Sequence, residues 1–105
     1  MTKPETEFQK IAGKLAADKV EVSKMFGMPC YKIKGKAFAG LYEGEMDFKL
    51  SGEDHKSALA LKGSALFDPM GGRPMKEWVQ VPGKHLEQWE SFAKEALKYV
   101  RSLKK

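Results

Sequence analysis

The sequence predicts an α+β fold, a two-layer domain in which an antiparallel meander is packed against an N-terminal helix and a long C-terminal helix. Two apolar stripes of helical period lie toward the ends of the chain, and between them runs a block of two-residue alternation punctuated by turn residues. With 105 residues, the chain suits one domain over residues 1–105 with one main core.

Phe8, Ile11, Ala12, Leu15 and Ala16 recur at steps of three and four, so a helix is predicted from about Glu5 to Asp18, with Pro4 at its start. Tyr31 and Ile33 then alternate with Lys32 and Lys34, Gly35 interrupts, and AFAGLY follows: strand, tight turn, strand. Glu43 and Gly44 make the next turn, and Met46, Phe48 and Leu50 alternate with Asp47 and Lys49. Pairing across that turn sets Ala37, Ala39 and Leu41 beside Met46, Phe48 and Leu50 as one apolar face. By the same parity Tyr31, Ile33, Phe38 and Tyr42 share the other face. Either that face is covered by another segment, or a bulge near Gly40 switches sides, or the face is left open as an aromatic binding surface; the covered arrangement is preferred.

After Leu50 the segment SGEDHKSALALKG reads as a short helix capped by Ser51 and stopped by Gly63. Leu66 and Phe67, then Trp78, Val79 and Val81, supply two short strands around the turn-rich stretch FDPMGGRPMKEWVQVP, and the sheet so assembled has about four to five strands. From His85 the stripe Leu86, Trp89, Ala93, Ala96, Leu97, Val100 and Leu103 marks the C-terminal helix, with Glu90 and Lys94 as an i,i+4 pair on its outer side.

Hydrophobic residues make up 42% and charged residues 31%, an ordinary globular balance. The apolar runs are too short to span a bilayer, so no membrane association is expected. Met1 to Lys10 has no apolar block of the secretory type, and the only cysteine, Cys30, has no internal disulfide partner; cytoplasmic residence is the expectation. Nineteen Lys and Arg against fourteen Asp and Glu give a net charge of +5. The cations gather in two patches: Lys24, Lys32, Lys34 and Lys36 in an acid-free stretch, and Lys98, Arg101, Lys104 and Lys105 near the end. All the cations but Arg73 and Arg101 are lysines, which lack the bidentate fork used for base reading, so any nucleic-acid contact is expected to be weak and backbone-directed.

MFGMPCYKIKGKAFAG, followed by MDFKL, FDPMGGRPMKEWVQVP and a closing helix ending ALKYVRSLKK, resembles the N-terminal domain family of TfoX/Sxy competence regulators and its single-domain relatives. Its most specific parts are Met25, Phe26 and Gly27, then Gly72, Arg73, Pro74 and Met75 before an apolar strand. The resemblance covers nearly the whole chain and implies an α+β domain without the C-terminal domain of the full-length regulators. It transfers no catalytic residue.

Candidate chemistry is sparse. Cys30 is either a reactive thiol tuned by Lys24 or Lys32 or a small buried hydrophobe, and burial is preferred. His55 and His85 with Cys30 lack metal-ligand spacing, and no phosphate-loop or hydrolase pattern is present, so no catalytic residue, cofactor or metal is assigned. Gly71, Gly72, Arg73 and Pro74 form the leading ligand candidate, with main-chain amides opened by glycine and Arg73 gripping a carboxylate or phosphate. The competing reading, which is preferred, makes them a stiff connection in which Arg73 pairs with Asp68 or Glu77. Tyr31, Ile33, Phe38 and Tyr42 with Lys32, Lys34 and Lys36 are the candidate surface. The functional expectation is a non-catalytic interaction or regulatory module with a protein partner, acting as a monomer or homodimer. The alternatives are a weak nucleic-acid binder, and a small-molecule sensor or enzyme using Arg73.

Overall fold

The computed structural model describes residues 3–25, 28–42, 44–68, 72 and 75–102. The elements run α1 (Lys3–Leu15), a 3-10 turn (Ala16–Asp18), β1 (Glu21–Met25), β2 (Met28–Ile33), β3 (Lys36–Tyr42), β4 (Glu45–Lys49), α2 (Gly52–Ala60), β5 (Ala65–Phe67), β6 (Met75–Val81), a second 3-10 segment (Gly83–Gln88) and α3 (Trp89–Ser102). The six strands form one antiparallel sheet in the order β1-β2-β3-β4-β6-β5, so β6 inserts between β4 and β5. The expected α+β architecture is present, with one more strand than expected at the upper end: β1 adds an edge. Its sequence, EVSKM, places Glu21, Val22 and Lys24 in solvent and has no apolar alternation to announce it.

The local chemistry explains the boundaries. The α1 stripe Phe8, Ile11 and Leu15 is buried, and the helical stretch ends at Lys19, whose left-handed backbone (φ 65°) lets its N–H reach the carbonyl of Ala16 at 3.0 Å. Ile33 pairs with Lys36, leaving Lys34 (φ 51°) and Gly35 (φ 80°) as a two-residue turn with both centres at positive φ, the handedness that matches strand twist. Ser51 occupies the position before α2, but its hydroxyl accepts no capping hydrogen bond from the helix amides, in contrast to the expected cap.

The helices cover one face of the sheet. Phe8, Ile11 and Leu15 of α1, Ala58 of α2, and Trp89, Phe92, Ala93, Ala96, Leu97 and Val100 of α3 pack with Tyr31, Ile33, Phe38, Ala39, Leu41, Met46, Phe48, Val79 and Val81. Parity counting misassigns part of this face. Tyr31 pairs with Ala39 and Lys32 with Ala37, leaving Phe38 as an extra residue in β3. That bulge, two residues from Gly40, turns both Phe38 and Ala39 toward the helices and sends Ala37 to the opposite side. Tyr31 and Ile33 therefore belong to the main core. The Tyr31 ring stacks on Phe8 at 4.5 Å, and its hydroxyl donates to the Phe8 carbonyl at 2.6 Å.

The second face has its own smaller cluster. Met28, Phe67 and Trp78 are buried there, with Ala37 and Tyr42 packed against them. Tyr42 meets Phe67 edge-on at 5.4 Å, and Phe67 meets Trp78 at 6.4 Å. Both faces of the sheet thus carry buried apolar side chains.

Candidate functional sites

Of the leading loop candidate, Gly71, Arg73 and Pro74 lie outside the described residues. Gly72 is described: its φ of 105° is open to glycine and strained for other residues, and its N–H donates to Asp68 Oδ2 at 2.9 Å. Glu77, one of the acids expected for Arg73, accepts a hydrogen bond from the Tyr99 hydroxyl and lies 3.8 Å from Lys49 Nζ.

Cys30 lies on the second face of β2 and is fully buried. Burial pushes its thiol above the ordinary range, outweighing the nearby Lys32 charge, so the thiolate is disfavoured. Both histidines serve packing contacts. His55 Nε2 lies 2.8 Å from the Lys76 carbonyl, tying α2 to β6, and His85 Nε2 lies 2.9 Å from the Lys62 carbonyl. Among the described residues no group of three or more His, Cys, Asp and Glu could hold a metal ion. No helix of the described residues is long and apolar enough to cross a membrane.

The candidate surface divides. Tyr31, Ile33 and Phe38 are core residues, not surface ones: Tyr31 and Ile33 lie on the helix side of β2, and the bulge in β3 turns Phe38 to the same side. Tyr42 is half-buried in the second cluster, while Lys34 is exposed and Lys32 and Lys36 are half-buried.

Lys34 has company that linear reading did not supply. A cleft of about 300 Å³ is lined by Ala17, Asp18, Lys19, Ile33, Lys34 and Arg101. It joins the end of the α1 region, the β2–β3 turn and the last turn of α3, so one member of each basic patch reaches the same opening. Arg101 Nη1 lies 3.7 Å from Asp18 Oδ1. Lys19 was invisible as a partner because only the fold brings the end of the first helix to the hairpin. A second cleft of about 500 Å³ mixes Lys3 and Lys84 with Glu87 and has no comparable excess of one charge.

Asp47 is the other residue that sequence reading missed. Alternation in MDFKL places it on the polar side, yet it is fully buried in the row Ser23, Cys30, Gly40, Asp47, Gln80 that crosses the sheet. Neither carboxylate oxygen has a hydrogen-bond partner. Burial drives its acidity well away from the ordinary value of 3.8, toward the protonated form. The backbone amides of Asp47 and Gly40 favour the anion without forming a hydrogen bond to it. Gly40 leaves this carboxylate room: a Cβ there would stand 2.9 Å from Asp47 Oδ1 and 2.6 Å from Met28 Cε.

Comparison with known proteins finds no matching family profile, curated protein or solved structure.

Proposed function

We propose that the chain is a cytoplasmic, non-catalytic interaction and regulatory module of the TfoX N-terminal-like kind, with a protein as its partner. The observation that carries this reading is how the reactive side chains are used. His55 and His85 are held against main-chain carbonyls, and the Cys30 thiol is buried and kept protonated. Cations gather at one corner, where exposed Lys34 sits in the hairpin turn and half-buried Lys36 opens the strand after it. A partner recognised there is acidic, and electrostatic complementarity sets its on-rate and specificity. The test is affinity capture with the intact chain, repeated with Lys34→Glu/Lys36→Glu and with Lys56→Glu on the distant α2. A specific partner is lost with the first variant, retained with the second, and recovered after a salt wash is reversed. Capture that ignores the hairpin charges sinks the proposal.

A second reading, backbone-directed nucleic-acid contact, is supported by the meeting of the two basic patches at one cleft. It predicts retention of a single-stranded oligonucleotide at low salt that falls steeply with ionic strength, as counterion release requires. Fluorescence anisotropy that stays flat at low salt removes it.

A further inference from the structure

We infer that the cleft between Lys19, Lys34 and Arg101 is a binding site for a small organic anion, a carboxylate with a compact apolar body. The lining of the cleft is of two kinds. Ala17 and Ile33 supply apolar surface, while three cations stand around it against one acid, Asp18. A volume of about 300 Å³ is at the small end of ligand pockets. It suits a single ring or short branched chain and leaves a bare inorganic ion without use for the apolar lining.

The backbone supplies an independent argument. Among the described residues, Lys19 (φ 65°) and Lys34 (φ 51°) are the non-glycine positions with positive φ, and both line this one cleft. Each sits where another residue is better suited. Glycine is favoured at the left-handed position that closes a helix, and Asn-Gly is the favoured pair for a turn like Lys34-Gly35. Lysine there costs stability and gives charge at the mouth of an apolar cavity, the pattern expected where local strain serves a site. The Asp18–Arg101 pair has both side chains roughly half exposed (48% and 47%), so it is weak and can yield the guanidinium to an incoming carboxylate. This site goes beyond the interaction-module reading and does not depend on it, because the ligand is a small molecule bound by the chain alone.

The experiment titrates the intact protein with 3-phenylpropionate, followed by amide chemical shifts, alongside 3-phenylpropanol and inorganic phosphate. Saturable shifts at Ala17, Lys19, Ile33 and Lys34 are expected, with a Kd of about 1 mM or tighter that weakens with salt. The alcohol and phosphate each bind at least about threefold more weakly, because each lacks one half of the recognition. Lys19→Gly/Lys34→Asn is the decisive variant. It loses affinity by about tenfold, while relief of two strained positions raises Tm by about 4 °C. Arg101→Gln, which leaves the backbone alone, loses affinity without the gain in Tm. Absence of saturable shifts at the cleft, a double variant that binds as tightly as the parent, or phosphate binding as well as the aromatic acid would each overturn the assignment. Loss of a protein partner in the capture experiment leaves these outcomes untouched, so the two readings fail separately.

Discussion

Asp47 has no solvent and no hydrogen-bond partner for its carboxyl, so its protonation is linked to folding. Its native acidity is weakened by burial relative to the ordinary 3.8, which means the folded state holds a proton that the unfolded state has released. Above about pH 4 the unfolded chain binds fewer protons than the native one, and stability falls as pH rises until the native carboxyl also ionises. The expected measurement is a urea midpoint that drops from pH 4 toward pH 8 in the parent relative to Asp47→Asn. The amide variant gains on the parent as pH rises toward 8, and the two are equal near pH 4. Parallel profiles for the two proteins would show that Asp47 ionises freely. The residue escaped sequence reading because alternation reports which side of a strand a side chain takes, and nothing local reports whether that side is wet.

The secondary-structure elements show where such reading works and where it stops. The C-terminal helix was legible from its stripe alone, and every stripe residue within the described range from Trp89 to Val100 is buried. Its Glu90 and Lys94 pair at 3.1 Å, with Lys14 of α1 joining the same carboxylate at 2.8 Å. Leu97→Ala should lower the stability measured by urea denaturation by about 2–5 kcal/mol. Its neighbour Lys98, exposed and 3.6 Å from Glu95, should cost less than about 0.5 kcal/mol when changed to alanine. Equal losses at the two positions would mean that the helix does not seal the core. The meander was legible in its turns, since Gly35 and Gly44 mark the reversals. Its facing was not, because the extra residue at Phe38 depends on the pairing of Tyr31 with Ala39, a contact between strands that neither segment encodes alone. The strand β1 was missed for the plainer reason that edge strands with solvated side chains carry little alternation. Of the candidate sites, the single basic residues were legible as patches, but their meeting at Lys19 was a product of tertiary placement.

Across the molecule, the main core and the second cluster use opposite sides of the same strands. Ala39, Met46, Phe48 and Val79 face the helices, while Met28, Ala37, Tyr42 and Trp78 face the other way on β2, β3 and β6. Neither cluster can come apart without removing the backing of the other, which ties the folded state into one cooperative unit. The lone cysteine and the buried acid lie on interior strands of this shared sheet, while the cleft with its cations borders the sheet at the β2–β3 turn.

The position of α3 in the chain carries a consequence for biosynthesis. Every strand leaves the ribosome before Trp89 does, yet the helical side of β3 and β4 is covered by Trp89, Phe92 and their neighbours. During translation the nascent meander therefore emerges with α1 already made but with the part of its apolar face that α3 covers still open, until α3 clears the exit tunnel. Chaperone occupancy on the growing polypeptide should concentrate in that interval.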